Sequence, residues 1–223
     1  MLDRLAILFI LLGICTAIMI AKDLIQHPQP IKIMNLVWPL TGLYMPFIGW
    51  LAWWYLGRKS RAVLPLHPLP KNRTPGFKQL FSSTSHCAAG CVLGDIIAVP
   101  IISLTKSLSV HATLATHAIL SLGLSLIFGI LFQYLAVRQM AGMTFFRAVW
   151  QAIKSDIFSL MIYQAGMFLY MALALHFILN NQIEPLVIHF WFMMQLALLT
   201  GFAFAWPANK FLLQRGIKFT FQR

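Results

Sequence analysis

Charged residues are scarce in this chain of 223 residues: they make up 10% of it, against about 25% in a typical soluble domain. Acidic residues are the scarcest, with five Asp and Glu against 17 Lys and Arg. Hydrophobic residues make up 60% of the chain and fall into several runs of bilayer length. A water-soluble core does not bury that many long apolar runs. The composition therefore excludes an ordinary soluble protein and indicates a polytopic membrane protein.

Cysteine is also rare, with three residues, and none of them lies in a polar connecting segment. This pattern argues against a small secreted fold that is held together by disulfides. Cys15 lies within an apolar run and is interpreted as a buried small hydrophobe. No small-residue cleavage site follows the first apolar run, so this run is expected to be a retained membrane span rather than a removed signal peptide.

Familiar catalytic motifs are missing from the sequence. It contains no Gly-rich phosphate loop, no H-E-x-x-H run and no recognisable Ser–His–Asp pattern. The chain is therefore not expected to be an enzyme. A b-type haem held by His117 and His176 is a minor alternative. The net charge of +12 is interpreted as basic residues at the cytoplasmic face in contact with anionic lipid, and not as a nucleic-acid site.

Hydropathy predicts an all-α bundle of about six transmembrane helices that forms one domain over residues 1–223. The predicted spans are 5–21, 36–56, 86–104, 114–137, 157–179 and 185–206, with Pro207 ending the last one. Residues 57–85 are basic and rich in proline, which predicts a cytoplasmic linker without a long helix. Residues 143–154 alternate apolar and basic faces at helical spacing and predict an amphipathic helix lying in the membrane interface.

The distribution of basic residues predicts the orientation. With six spans and the N-terminus inside, fourteen of the 17 Lys and Arg residues fall on the inner side. Because cytoplasmic segments are enriched in Lys and Arg, the sequence predicts that both termini lie in the cytoplasm. Lys71 is then inside and Lys106 outside.

A run at 86–95 concentrates reactive side chains in an otherwise apolar chain. If it is helical, Cys87, Cys91 and Asp95 recur at i, i+4 and i+8 and share one stripe. Hydroxyl residues at 82–85 predict a helix start just before this run. The positive end of the helix dipole would then activate the first thiol. The depth from that start predicts that Asp95 lies near the bilayer midplane, where an ionisable side chain is costly and usually functional.

Two glycines in the same run favour another interpretation. Gly90 and Gly94 form a ridge of small residues, of the kind that lets a second helix approach closely. The run is then a packing device in a structural or assembly protein that binds no ligand. Both interpretations stay open at this point.

The spacing S-x-x-H-C-x-x-G-C-x-x-G-D, from Ser83 to Asp95, resembles the signature of a bacterial multipass membrane family of unknown function, the domain-of-unknown-function 4396 type. The resemblance implies that the residues of the run act as a unit. It also implies a bacterial inner-membrane location. It brings no established activity.

Two thiols and an imidazole are ligands for a soft or borderline metal ion, so the sequence predicts a site for Cu(I), or alternatively Zn(II). The expected metal ligands are His86, Cys87, Cys91 and Asp95. The protein would bind the ion and transport or deliver it, with Asp95 as a relay. A thiol redox protein coupled to quinone is a third alternative. Lipid is the expected partner, and a second copy or another membrane protein is a further candidate.

Methionine in the last two spans adds a hypothesis about the path of such an ion. Thioether and imidazole side chains that share helix faces would suit Cu(I), although methionine also fills gaps in apolar helices. The proposed path residues are Met167, Met171, His189 and Met193. Polar residues within the spans, namely Gln133, Tyr163, Gln164 and Gln195, are expected to face the bundle and to bond between helices.

Overall fold

The computed structural model describes residues 2–58, 74–103, 110–141, 144–178 and 188–218, and every regular element in these ranges is helical. The helices are α1 (Leu2–Gln26), α2 (Met34–Tyr44), α3 (Ile48–Ala52), α4 (Phe77–Ser103), α5 (Val110–Ala141), α6 (Phe145–Phe177) and α7 (Ile188–Gln214). The prediction of an all-α membrane bundle is confirmed.

Five of these helices are long and apolar enough to cross a membrane, among the residues that the structure describes. They are α1, α4, α5, α6 and α7. Helix α4 is the centre of the bundle and contacts α2, α5, α6 and α7. Within its most apolar stretch 72% of α4 is buried, against 22% for α1, which packs on α2, α3 and α7 at the periphery. The side chains of α4 are therefore the ones that the fold removes most completely from lipid.

The predicted second span, 36–56, is not a crossing. The chain turns back at Met45–Phe47, so that α2 and α3 form a helical hairpin. Trp38 and Trp53 are 15 residues apart, about 22 Å in a straight helix, yet their rings meet edge to face at 5.4 Å. The side chain of Gln29 donates to the carbonyl oxygen of Gly57 at 3.1 Å, which brings the two ends of the hairpin together. Both ends therefore lie at the same face of the bundle.

Local sequence explains the turn of the hairpin. Pro46 follows α2 at once, and Phe47 has a φ of 61°, a strained value for a residue with a side chain. The two arms also approach closely, because a Cβ on Gly49 would lie only 2.8 Å from the Cα of Gly42. Hydropathy cannot distinguish such a hairpin from a span, since both are uniformly apolar. The last turn, Trp53–Gly57, is a π-helical one.

The predicted third span begins nine residues earlier than expected, at Phe77 instead of His86. The side chain of Gln79 accepts from the backbone N–H of Gly76 at 3.1 Å, in the manner of a capping box, and Pro75 precedes this cap. The hydroxyl residues at 82–85 continue the helix and do not cap it. Thr84, for example, donates to the carbonyl oxygen of Leu80 at 2.9 Å. The last nine residues of the predicted linker 57–85 are thus helical, and its segment 59–73 lies outside the described residues.

The predicted interfacial helix 143–154 and span 157–179 are one continuous helix, α6. Its inner face is formed by small residues such as Ala148 and Ala152, which are fully buried. The apolar residues Phe146 and Trp150 point outward and are 83% and 62% exposed. The amphipathic pattern therefore marks the lipid-facing side of a span, and not a separate surface helix. Pro207 likewise lies inside α7 and does not end it.

Five crossings place the two ends of the chain at opposite faces, so the predicted arrangement with both termini inside does not hold. Asp3 at the start of α1 pairs with His189 at the start of α7 at 2.9 Å, which requires both helices to start at one face. Of the described basic residues only Arg4 lies toward that face. The others gather toward the opposite one, called here the basic face: Lys22, Lys32, Arg58, Lys78, Arg138, Arg147, Lys154, Lys210, Arg215 and Lys218.

Candidate functional site

Helix α4 carries polar residues into the centre of the bundle. Every residue from Phe81 to Val92 is buried, and this stretch includes four hydroxyl residues, an imidazole and two thiols. The helix is 27 residues long, so its midpoint is near Ala89–Gly90 and the two thiols flank it. Cys87 and Cys91 therefore lie near the middle of the crossing, one helical turn apart.

This placement corrects the expected position of the run. Because α4 begins at Phe77, His86 is about 13 Å along the helix axis and does not lie at its mouth. The argument that a helix N-terminus activates the thiol does not apply to a residue in the middle of a helix. The ring of His86 is fully buried and packs edge to face on Phe132, with the centroids 6.2 Å apart. Asp95 is about 27 Å from the start of α4, and hence nearer to the face opposite the basic one.

Asp95 forms one of two buried acid–base pairs, called here the outer pair, with His117 of α5. The Nε2 atom of His117 is 3.4 Å from Oδ1 of Asp95, and both side chains are almost fully buried. Ser121 donates a hydrogen bond to the same carboxylate oxygen. The Phe168 ring of α6 packs edge to face on His117 at 5.2 Å. Three helices thus enclose the outer pair.

Asp156 and Lys218 form the second pair, called here the inner pair because it lies in the half of the bundle nearer the basic face. Nζ of Lys218 is 2.6 Å from Oδ1 of Asp156, and neither side chain has any exposed area. The ammonium also donates to Oδ1 of Asn209 at 2.8 Å and to the hydroxyl of Ser159 at 3.5 Å. The lysine therefore has three oxygen partners from α6 and α7.

Lys218 reaches the interior because the chain turns back after α7. Gly216 takes a left-handed φ of 68°, and the N–H of Ile217 donates to the carbonyl oxygen of Leu212 at 3.0 Å. This is the Schellman arrangement, which favours glycine at that position. Gln151 of α6 then donates to the carbonyl oxygen of Ile217 at 2.8 Å and holds the returning segment against the bundle. The turn directs the next side chain, Lys218, inward.

A line of polar side chains joins the two pairs. Ser159 lies 3.5 Å from the sulfur of Cys87, so the inner pair reaches the first thiol through one hydroxyl. Farther from the basic face, Gln164 donates to Ser125 at 2.7 Å and to Ser121 at 3.3 Å. Ser125 also lies beside the Cys91 thiol, and Ser121 bonds to Asp95. The polar column, as we call this set, comprises Asp156, Lys218, Ser159, Cys87, Cys91, Ser125, Gln164, Ser121, Asp95 and His117.

The column lies where α4 and α5 approach most closely. A Cβ on Gly90 would be 2.9 Å from the backbone nitrogen of Gly129, and one on Gly94 would be 2.9 Å from that of Ser125. Substitution of either glycine would thus push α5 away from α4. The small residues hold Ser125 close to the thiols, so the packing ridge and the polar column belong to the same contact.

The four expected metal ligands are not brought into one cluster. Within the described part of the chain no group of three or more His, Cys, Asp and Glu side chains is arranged to hold a metal ion. Cys87 faces Ser159 of α6, and Cys91 lies beside Ser125 of α5. A metal-binding role for these residues stays a prediction, for Cu(I) as for Zn(II).

The expected methionine path stays a prediction as well. Met167, Met171 and Met193 are buried in the apolar core, and Tyr170 donates to the sulfur of Met193 at 3.8 Å. His189 is at the start of α7, where it pairs with Asp3. The expectation that polar residues bond between helices is confirmed for Tyr163, Gln164 and Gln195, whose partners are Leu198, Ser121 with Ser125, and Leu43.

Sequence reasoning missed the inner pair altogether. Lys218 follows the last predicted span, 185–206, and Asp156 falls between the predicted segments 143–154 and 157–179, which are one helix in the structure. The scarcity of acidic residues was the available signal. Each aspartate of the described residues pairs with a base: Asp3 with His189, Asp23 with Arg58, Asp95 with His117 and Asp156 with Lys218.

Membrane-length helices around a buried polar column define a polytopic helical membrane protein. The chain belongs to the family described as Domain of unknown function (DUF4396), whose model matches residues 76–218. The match runs from the cap of α4 to Lys218, so it contains both pairs and both thiols, whereas α1, α2 and α3 precede it. No curated protein and no solved structure matches the chain. The family resemblance is thus confirmed.

Proposed function

We propose that this protein carries a small cation across the inner membrane of a bacterium, along the polar column between α4, α5 and α6. The observation that carries the proposal is the column itself, which has an acid–base pair at each end. Cys87 and Asp95 are eight residues apart, so the part of the column on α4 covers about 12 Å of the helix axis. Ionisable side chains inside a bilayer are costly, and proteins use them chiefly in ion pathways and proton relays.

The chemistry of the outer pair suits an exchange. A buried carboxyl group avoids an uncompensated charge either by holding a proton or by having a cation beside it. Asp95 is held through one oxygen by Ser121 and His117, while Oδ2 has no hydrogen-bond partner among the residues described. A cation that arrives at Asp95 would release a proton, and its departure would restore one. Asp95 is then the relay of the pathway, and the basic face is the cytoplasmic one.

A soft metal ion is the cargo that the thiols favour. Cys87 and Cys91 are the only strong soft ligands in the column. Zn(II) prefers four ligands in a tetrahedron, whereas no third His, Cys, Asp or Glu side chain of the described residues is arranged with the two thiols to hold a metal ion. We therefore propose Cu(I) as the cargo, held between Cys87 and Cys91 while it passes. His86 and Asp95 do not take part in that site.

A binding experiment tests the cargo. Detergent-purified protein is incubated with Cu(I) under a competing chelator, and the retained copper is measured by elemental analysis. We expect one retained ion in the wild type and none in the double variant Cys87→Ser/Cys91→Ser, because a hydroxyl is a poor ligand for Cu(I). Cys15→Ser is the matched control, since Cys15 is exposed on α1 and should not contribute. Equal copper in the wild type and the double variant would contradict the proposal.

A flux experiment tests the relay separately. Asp95→Asn keeps the shape of the side chain and its acceptor for Ser121, but it cannot exchange a proton. In proteoliposomes loaded with a copper indicator, we expect this variant to bind Cu(I) as the wild type does and to carry it at background rate. Undiminished flux in Asp95→Asn would show that the outer pair is not part of the path.

A structural or assembly role without any cargo is the second candidate, and the close approach of Gly90 to Gly129 favours it. In that case the polar column is a hydrogen-bonded seam that fixes the register of α4 against α5 and α6. The two candidates differ in one measurable respect. If the column is only a structural seam, we expect the protein to show neither retained metal nor flux. We then expect the variant Gly90→Leu to lose its complex with a partner protein. The carrier predicts both metal and flux in a protein that is pure and alone.

A further inference from the structure

A cavity of about 240 Å³ lies beside α4 and is walled by α1, α2 and α7. Its lining is almost entirely apolar and includes Ile14, Tyr44, Asp95, Trp191, Gln195 and Leu198. Asp95 also belongs to the polar column, so one carboxyl group is shared between the column and the cavity. The cavity itself lies outside the proposed path of the cation.

Three polar atoms of the residues that line the cavity have no hydrogen-bond partner among the described groups, namely Oδ2 of Asp95, Oε1 of Gln195 and the hydroxyl of Tyr44. Asp95 is 1% exposed, and its Oδ2 has no partner among the described side chains and backbone groups. Gln195 is 9% exposed and donates through Nε2 to the carbonyl oxygen of Leu43 at 2.9 Å. Since a carbonyl oxygen only accepts, this bond fixes the orientation of the amide and leaves Oε1 as an acceptor without a partner.

The cavity reaches the lipid-facing surface of the bundle between α1 and α4. Ile14 of α1 and Ile96 of α4 both line it, and they are 41% and 38% exposed on the outside of the bundle. A molecule dissolved in the bilayer therefore meets this opening directly. An ion from water would have to cross apolar side chains to use the same route.

We propose that this cavity binds a lipophilic amine: a compact apolar body that carries one ammonium group. The ammonium group supplies donors to Asp95 and Gln195 and places a positive charge beside the carboxyl group, while the apolar body fills the remaining wall. A neutral hydrocarbon of the same shape would leave both acceptors buried without a partner, which costs binding free energy. A carboxylate ligand would bring a second negative group to Asp95. The inference concerns binding alone and does not depend on the transport of copper.

The test uses tritiated 1-aminoadamantane and the full-length protein in detergent, with bound probe measured by scintillation proximity. We expect saturable binding that unlabelled 1-aminoadamantane displaces and that adamantane-1-carboxylate does not. Asp95→Asn should weaken the affinity at least tenfold, because it removes the negative charge while keeping the size of the side chain. Affinity within threefold of the wild type in this variant, or no displaceable binding to the wild type, would overturn the proposal.

A second variant guards against a change of fold in Asp95→Asn. Ile14→Trp narrows the opening from the lipid side without touching a polar group, and it should reduce the binding at least tenfold. Ile18→Trp is the matched control one turn further along α1, at a residue that is 49% exposed and does not line the cavity. Equal binding in the two tryptophan variants would contradict this location. A loss of copper binding would leave the result for the amine unaffected, and the reverse also holds.

Discussion

The inner and outer pairs both bury an aspartate opposite a base, but they hold it in different ways. In the inner pair the charged atoms are 2.6 Å apart, and Lys218 has two further oxygen partners. In the outer pair the distance is 3.4 Å. Oδ2 of each aspartate has no hydrogen-bond partner among the described groups, so the two pairs differ in the separation of the charged atoms and in the number of partners of the base.

The two pairs also differ in where their members come from. Asp95 and His117 both belong to membrane-spanning helices, so they separate only if whole helices move. Lys218 lies in the short segment after α7, which is held by the turn at Gly216 and by Gln151. The described part of this segment is four residues long, from Arg215 to Lys218, and it belongs to no helix. We therefore call it a latch, and the outer pair remains the exchange site of the proposed function.

The orientation of the bundle decides which pair is nearer the cytoplasm. Labelling of each position by an impermeant reagent in intact cells should therefore be either complete or absent. We expect an N-terminal tag and a cysteine at position 106 to be accessible to an impermeant reagent in intact cells, and a cysteine at position 71 to be protected. The reason is that five crossings and a hairpin place the N-terminus at the face with few basic residues. The measurement is maleimide labelling in a Cys15→Ser background.

The control in that experiment is permeabilisation, which should expose position 71 as well. A protected N-terminal tag together with an accessible position 106 would restore six crossings. The hairpin of α2 and α3 would then be wrong.

Removal of one partner of the inner pair should produce the largest loss of stability. Lys218→Met leaves Asp156 as an uncompensated buried carboxyl group in α6, and we expect a loss of about 3–5 kcal/mol in the free energy of unfolding. Asp156→Asn should cost less, because the released lysine can withdraw with its segment into water. Thermal unfolding in detergent, followed by the fluorescence of a thiol-reactive dye, compares the two variants.

A double variant sharpens this prediction. Lys218→Met/Asp156→Asn should recover most of the loss seen in Lys218→Met, because no buried charge is then left alone. If the two single variants lose equal stability, the segment after α7 is as fixed as a helix. The description of a latch would then fail.

Hydropathy was sufficient to predict the class of fold, because membrane-length apolar runs have few alternatives to a helical bundle. It failed at the hairpin, since the contact of Trp38 with Trp53 depends on a turn at Pro46 and Phe47 that leaves the apolar content unchanged. The extra crossing at 36–56 also led the distribution of basic residues to place the N-terminus on the wrong side, and the two errors offset each other for the segments that follow. The predicted sides of Lys71 and Lys106, which lie outside the described residues, are the same with six crossings as with five, so they stay predictions.

The candidate site was predictable only in part. The run 86–95 identifies the helix, and the i, i+4 spacing correctly suggests that Cys87 and Cys91 lie on neighbouring turns. The partners of these residues come from α5, α6 and the segment after α7, far away in sequence. No local pattern reveals that Ser159 contacts Cys87 or that Lys218 turns inward. The helix start was misjudged because the hydroxyl residues at 82–85 were assigned to a cap, whereas buried serines and threonines are also tolerated within helices.

The turn that delivers Lys218 offers a milder way to weaken the inner pair. Gly216→Ala should cost about 1–2 kcal/mol, because a φ of 68° is unfavourable for a residue with a Cβ. Gly123→Ala is the matched control: nothing lies within 4 Å of a Cβ at that position, and its φ is not left-handed. We expect the control to unfold at or slightly above the temperature of the wild type, since alanine favours the helix. A Gly216→Ala variant as stable as the control would show that the turn does not hold the lysine in place.

The smallest effect on stability is expected for Asp95→Asn in the outer pair, at no more than about 1 kcal/mol. The amide keeps an oxygen for the hydrogen bond from Ser121, and its NH₂ group replaces Oδ2, which has no hydrogen-bond partner among the described groups. His117 has only a 3.4 Å contact to lose, and a neutral imidazole can remain buried beside Phe168. Thermal unfolding of Asp95→Asn beside Lys218→Met gives the comparison directly, with Asp95→Leu as the variant that deprives Ser121 of its acceptor. If Asp95→Asn loses as much stability as Lys218→Met, Asp95 is an ion-paired structural residue as tightly held as Asp156, and an exchange of its partner during function is untenable. A small loss shows instead that the fold tolerates a change of charge at Asp95, as a carboxyl group that gains and releases a cation in each cycle must.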